Sequence, residues 1–226
     1  MNVNLIVKYL KNLSFREVLE KAHSDISPGL EVVRLGDSKH LNALNTNYSY
    51  GGLHRVFQKA FKKLPVEDKD IRKALILGFG AGSVAAIIRE ELKIPCHITG
   101  VDADPVVLSL AGKYFNISRF DNLDLLEEDA MAFIESCTTM FDLIVVDVYV
   151  DFEVPEQCES QEFVDELYRC LSPGGIILFN KLVYNHEAGV QAGVLEQKFS
   201  NLRGAMSVIK IRESVLNKII VFEKER

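Results

Sequence analysis

The sequence predicts an α/β protein built on a mainly parallel seven-stranded sheet that ends in an antiparallel hairpin, with a short α/β-hairpin extension in front. Three observations carry this. From residue 74 onward, apolar runs of strand length alternate with stretches of helical spacing. The runs are apolar on both faces, as strands of a parallel sheet covered by helices on each side must be. The last two strand-like runs, 205–212 and 217–224, are separated by four residues. That is too few for a parallel crossover, so the two pair antiparallel.

The elements follow in order. "SFREVLEKAHSD" (14–25) has the pattern of a capped helix, with Ser14 as N-cap and Glu17 three residues on. "LEVVRL" (30–35) and "KHLNALN" (39–45) flank "GDS" and read as a hairpin. "GGLHRVFQKAFKKL" (51–64) is an amphipathic helix leading into the sheet. Residues 1–50 are therefore expected as an extension and 51–226 as the main domain. Strands are expected at "ALILG" (74–78), "CHITGVD" (96–102), "LDLLEED" (123–129), "FDLIVVD" (141–147) and "GIILFN" (175–180). Helices are expected between them at "SVAAIIREEL" (83–92), "PVVLSLAGKYF" (105–115), "AMAFIESC" (130–137) and "SQEFVDELYRCL" (160–171), the last ended by "SPGG".

Composition narrows the function classes. The chain has 226 residues, 48% hydrophobic and 26% charged, enough for a proper core. A net charge of −6 argues against a broad nucleic-acid-binding surface. No apolar run reaches the roughly 18 residues of a membrane span, and the first residues lack the basic region of a signal peptide. Cys96, Cys137, Cys158 and Cys170 form no C-x-x-C pair, and the five histidines are scattered. Free thiols in a reducing cytoplasm and no dedicated metal site are expected.

The chemistry is expected at the turn "ALILGFGAGS" (74–83), where Gly78-x-Gly80-x-Gly82 joins a strand to a helix. Glycine allows positive φ and close approach to the backbone, and the following helix points its free N–H groups at the turn. A tightly packed turn, a dinucleotide fingerprint with Ser83 in its last position, and the G-x-G-x-G loop of S-adenosylmethionine enzymes all fit. Asp102, Asp129 and Asp147 close the second, third and fourth strands. In a parallel sheet those ends share one edge, the edge at which open α/β folds bind ligands. Asp102 has the chemistry to accept hydrogen bonds from ribose hydroxyls. Asp129 suits an adenine amino group and also the N-cap of its helix. Asp104, before Pro105, is an N-cap. Asn180 closes the fifth strand.

At this point the chain resembles the class I S-adenosylmethionine-dependent methyltransferase superfamily, in its spermidine synthase-like branch. The resemblance rests on "LILGFGAGS", "GVDADPVVLSLAGKYF", "EEDAMAFI", "FDLIVVDVYVD" and "LSPGGIILFN", in the family's order. "VDADP" and "KYF" match the family's V-E-I-D-P and K-Y-F. The resemblance implies a Rossmann-like fold and a cofactor-binding set of Gly78, Phe79, Gly80, Gly82, Asp102, Ala103, Asp129, Ala130 and Asp147. The glycines would meet the methionine part, Asp102 the ribose, and Asp129 and Ala130 the adenine. The family's Y-H-E signature is reduced here to His54 with no glutamate after it. Its D-S-S-D-P segment, whose acids bind and deprotonate the attacking amine, becomes "DVYVDFEVP". Asp147 is kept, the second acid Asp151 lies one residue further on, and Val148, Tyr149 and Val150 replace small linkers.

The catalytic candidates are therefore Asp147, Asp151 and Tyr149. The reading places first a methyltransferase using S-adenosylmethionine on a small-molecule acceptor, an amine among the candidates. An aminopropyltransferase using decarboxylated S-adenosylmethionine comes second, and a non-catalytic S-adenosylmethionine- or nucleotide-binding protein third. An NAD-dependent role ranks last because of Ser83 and the terminal hairpin. The acidic stretch 147–162 reads as a solvated loop or as an attractant for a cationic acceptor. Expected partners are the small-molecule acceptor and, for assembly, a second copy in a homodimer.

Overall fold

The computed structural model describes residues 16–43, 47–150 and 152–226. Two sheets organise them. The first is antiparallel, in the order β1 (Arg16–Ala22), β2 (Leu30–Leu35), β3 (Ser38–Asn42) and β4 (Asn47–Ser49). The second has seven strands: β5 (Lys73–Leu77), β6 (His97–Asp102), β7 (Leu123–Glu127), β8 (Phe141–Val146), β9 (Leu171–Val183), β10 (Gly204–Arg212) and β11 (Leu216–Lys224). Their spatial order is β10-β11-β9-β8-β5-β6-β7. The five strands from β7 to β9 are mutually parallel, and β11 and β10 complete the sheet antiparallel, as expected.

Helices cover both faces. They are α1 (Gly51–Phe61), α2 (Ser83–Ala86, continued by a π-helical turn Ile87–Glu91), α3 (Pro105–Phe115), α4 (Ala130–Ser136), α5 (Gln161–Arg169) and α6 (His186–Ser200). One face buries α1 and α2 with Ile76, Val145 and Leu178. The other buries α4, α5 and α6 with Leu77, Val146 and Phe179. The alternation of strand residues between these two cores is why the strands read as continuously apolar.

Three elements depart from expectation. The stretch from residue 16 is strand β1, not a helix; Ser14 lies outside the described residues. Arg16 and Glu17 pair with Glu31 and Arg34 on β2, and Leu19 and Ala22 pack toward Leu30, Val32 and Leu41, beside Leu110 of α3. Cross-strand pairing and burial outweigh a local helical preference. The β2–β3 hairpin forms around Gly36, at φ +61°, while residues 44 and 45 of its expected second strand lie outside the described residues. "SPGG" does not merely end a helix: it forms a bulge inside β9, where the partner register jumps from Phe141↔Leu171 to Leu143↔Ile176. Helix α6 has no counterpart among the expected elements. Asn185 caps it through Ala188 N (2.7 Å), and Ala188, Ala192, Leu195 and Phe199 face inward at helical spacing.

Chain order in the main sheet reverses beside β5, which lies between β6 and β8. Such a switch point leaves a crevice at the carboxyl ends of the strands. Gly78, Asp102 and Asp147 follow or end those three strands and so meet there.

Candidate active site

The turn after β5 is held by backbone contacts. Gly78 N and Phe79 N both donate to Val101 O, at 2.9 and 3.0 Å. Gly78, Gly80 and Gly82 all have positive φ, +81°, +57° and +83°. Gly80 N donates to Asp102 Oδ2 (2.8 Å) and Asp104 N to Asp102 Oδ1 (3.1 Å), so this carboxylate ties the glycine turn to the next turn. Burial pushes Asp102 up to about 6, against those two bonds.

A cleft of about 1080 Å³, counting its solvent-open part, lies along this edge. Gly78, Gly80, Asp102, Ala103, Asp129, Ala130, Asp147 and Tyr149 all border it. Phe79 and Gly82 do not. The Phe79 ring is buried against Gly100, where an added Cβ would come within 2.9 Å of Cε2. Gly82 faces the rings of Phe79 and Phe120 and precedes α2 in a left-handed conformation. Asp151 lies outside the described residues. Asp104 caps α3 through Val106 N and Val107 N, as expected, and also accepts from Ser24 Oγ of the first sheet. Asp129 does what an N-cap does, accepting from Met131 N (2.9 Å) and Ala132 N (3.1 Å), while its other oxygen accepts from Gln157 Nε2 (3.1 Å).

Asp147 is held through both its backbone and its side chain. Its N–H donates to Leu77 O (2.8 Å), fixing it at the exit of β8, and its carboxylate accepts from Asn180 Nδ2 (2.9 Å). Burial first, then the Asp102 charge, push its carboxyl up to about 7, against the Asn180 bond. Asn180 is 1% exposed, and its Oδ1 has no hydrogen-bond partner. A buried amide oxygen beside a carboxyl poised near neutrality suits an incoming N–H group.

Several contributors escaped sequence reasoning. Ile26, Ser27 and Tyr48 bring the first sheet to the cleft, and Glu213 to Val215 bring the β10–β11 turn. Nothing local marks Tyr48; only the closing hairpin's position hints at Glu213. His54 Nδ1 lies 2.9 Å from Ser83 Oγ and Nε2 lies 2.7 Å from Glu91 Oε1, linking α1 to the glycine turn. No glutamate follows His54 in sequence, yet one reaches it from the π-helical turn.

The charge of the lining is one-sided. Among the described residues that border the cleft, the ionisable carboxyls are Asp102, Asp104, Glu128, Asp129, Asp147 and Glu213, and no Lys, Arg or His is present. Arg55 and Lys59 reach Glu213 from outside, and Asp104 and Asp129 serve helix caps. Asp102 borders the cleft with both oxygens tied to Gly80 N and Asp104 N, and Glu128 and Asp147 border it beside these groups. Among the described residues no group of three or more His, Cys, Asp or Glu is placed to hold a metal ion. No helix is long and apolar enough to cross a membrane.

Comparison with known proteins bears on the family and the fold. The family model for the spermine/spermidine synthase domain matches residues 55–225. A probable polyamine aminopropyl transferase of Bifidobacterium longum is 29% identical over 177 residues, 77% of this chain. The alignment covers 35% of that relative, so the chain spans about a third of its length. Among solved structures, spermidine synthase from Thermotoga maritima superposes with a TM-score of 0.70 at 15% identity, covering 92% of this chain and 72% of that one. Human methyltransferase-like protein 13, in complex with SAH, gives a TM-score of 0.62 at 19% identity, covering 78% and 83%. At these identities the structural likenesses establish the fold alone.

Proposed function

The chain belongs to the spermine/spermidine synthase domain family, and from that premise we propose that it transfers an aminopropyl group from decarboxylated S-adenosylmethionine to a small amine. This reverses the order drawn from sequence, which placed methyl transfer first. The observation that carries the proposal is the cleft's lining of carboxyls with no cationic side chain. S-adenosylmethionine brings a carboxylate into such a site, unpaired and close to like charge. Its decarboxylated form brings an ammonium and a sulfonium, and an amine acceptor adds further positive charge.

The residues divide the work accordingly. Asp102 and Ala103 would face the donor's ribose, Asp129 and Ala130 its adenine, and Gly78 and Gly80 its sulfonium-bearing chain. When bound, that donor supplies an activated carbon and a thioether leaving group. Asp147 takes the proton that the acceptor ammonium must lose, and its upward shift suits it to do so near neutral pH. Asn180 Oδ1 accepts an N–H of the same nitrogen and orients it. Tyr149 offers no free hydroxyl proton, because its OH donates to Asn180 O (2.6 Å) and accepts from Leu182 N (2.9 Å).

Methyl transfer is the second reading. Val148, Tyr149 and Val150 favour it, since they border the cleft where the family pattern has small residues. Product analysis separates the two. Incubated with decarboxylated S-adenosylmethionine and a panel of diamines and polyamines, the protein is expected to release 5′-methylthioadenosine. Release of S-adenosylhomocysteine from S-adenosylmethionine, with no methylthioadenosine from the other donor, would overturn the proposal in favour of methyl transfer. Tight donor binding with neither product would support the binding-only reading.

A second expectation concerns the donor alone. Asp102→Ala removes the carboxylate that ties Gly80 N and Asp104 N and would face the ribose. Calorimetric titration should show donor affinity weakened by roughly 1–3 kcal/mol, the cost of leaving hydrogen-bonding groups unpaired. Unchanged affinity would move the donor away from this carboxylate.

A further inference from the structure

The loop leaving β8 doubles back onto β9. Pairing between the two strands stops at Val146↔Phe179. Beyond it, the Tyr149 side chain takes the place of a strand partner: its hydroxyl donates to Asn180 O at 2.6 Å and accepts from Leu182 N at 2.9 Å. The backbone of the same tyrosine is anchored from the first sheet, since Tyr48 OH donates to Tyr149 O at 3.1 Å. Asn180 in turn donates from Nδ2 to Asp147 Oδ1 at 2.9 Å. One hydrogen-bonded chain thus runs from β4 through Tyr149 and Asn180 to Asp147.

We infer that Tyr149 is a positioning residue: its hydroxyl, fastened between Asn180 and Leu182, holds the Asn180 amide against Asp147 and so sets the base toward the acceptor. The inference rests on the reading of Asp147 as the base of an amine transfer, but its structural half stands without turnover. Two backbone groups of β9 lose a partner if the hydroxyl is removed, and the β8-facing side of β9 at Asn180 loosens while its ladder to β11 (Asn180↔Ile219, Leu182↔Asn217) persists. The Asn180 side chain follows its backbone. Asp147 loses the Asn180 hydrogen bond that favours its charged form and keeps the burial and the Asp102 charge that oppose it. Other charged groups bordering the cleft are Asp104, Glu128, Asp129 and Glu213, the last held by Arg55 and Lys59; none of these contacts depends on Tyr149. Burial, and after it the Asp147 charge, push the Tyr149 phenol well above its usual value, so it stays protonated throughout.

The test is Tyr149→Phe, which keeps the ring and deletes the bonds. In the ligand-free protein, the Asp147 carboxyl carbon followed by NMR should titrate about half a pH unit higher than in the parent, the direction expected for losing a hydrogen bond to the charged form. With an active donor and acceptor, kcat/KM should be roughly threefold lower at pH 6 and equal to the parent by pH 9. A residue that merely stabilises the loop would lower the melting temperature and leave both titrations in place, and that outcome overturns the inference. Asn180→Ala, which deletes the last bond directly, should shift the carboxyl at least as far. Tyr48→Phe should shift it less, in the same direction. If Tyr149→Phe does not fold, an unmoved carboxyl in these two variants is equally fatal. A moved carboxyl in a protein that turns over no amine leaves the positioning chain intact and removes the reading of the site as an amine transferase.

Discussion

Asp147→Asn should reduce turnover by about 10²-fold or more while donor affinity stays nearly unchanged, the signature of removing a general base. The substitution conserves volume and retains an oxygen to accept from Asn180 Nδ2, so the bond at 2.9 Å survives. What disappears is the carboxylate proposed to take the acceptor's proton. The same change should make the protein more stable at alkaline pH. In the folded chain burial holds the Asp147 carboxyl at about 7, against an ordinary value of 3.8. Between those values the folded state keeps a proton that the unfolded state has released. This term therefore favours folding less and less as pH rises, and it levels off above about 7. At roughly 1.4 kcal/mol per pKa unit, the loss amounts to a few kcal/mol for a fully buried group. The ligand-free parent should melt at lower temperature at pH 8 than at pH 5, with Asp102 contributing in the same sense, and the difference should shrink in Asp147→Asn. A variant that turns over an identified acceptor at the parental rate would remove Asp147 from the chemistry. A variant with an unaltered pH dependence of melting would remove the buried-charge account.

The parts of this site that were readable in sequence are those fixed by local pattern. Apolar runs of strand length, each closed by a carboxylate, needed only the rule that parallel strands end on one edge to bring Asp102, Asp129 and Asp147 together. The N-cap roles of Asp104 and Asp129 followed from the residues next to them. What sequence concealed depends on partners far along the chain. The helical spacing of residues 14–25 is real, but β1 forms because Arg16, Glu17 and Leu19 find β2 and α3. Helix α6 is broken in pattern by Gly189 and Gly193, and half of its inward face of Ala188, Ala192, Leu195 and Phe199 is alanine. Phe79 sits between two glycines that border the cleft, yet its ring turns into the core against Gly100. Glu91 reaches His54 across 37 positions, and Tyr149 meets Asn180 across 31. Neither pair fits within a window the length of a single helix or strand.

Gly78→Ala should destabilise the fold severely, and for a reason other than ligand access. At φ +81° an alanine is strained by about 1–2 kcal/mol in any surroundings. Here a Cβ would also overlap the Asp147 carbonyl oxygen and stand 2.6 Å from its carbon and 3.0 Å from Val148 N. These are backbone atoms of the strand exit, held by Asp147 N donating to Leu77 O, so neither side yields cheaply. Overpacking of this kind adds roughly 1–3 kcal/mol. Gly80 is the natural control. Its φ is +57°, but a Cβ there would meet Tyr48 O and Ser49 at 3.4–3.5 Å, ordinary contact. Denaturant unfolding should therefore place Gly78→Ala well below Gly80→Ala, whereas calorimetry should find the donor affected by Gly80→Ala, since Gly80 itself borders the cleft. Any Gly78→Ala protein that does fold should bind donor and turn over poorly, because relief of the overlap displaces Asp147. Equal stability of the two variants would mean that the first glycine is there for the ligand after all. The expected inequality means instead that Gly78 is the seat on which the Asp147 backbone rests.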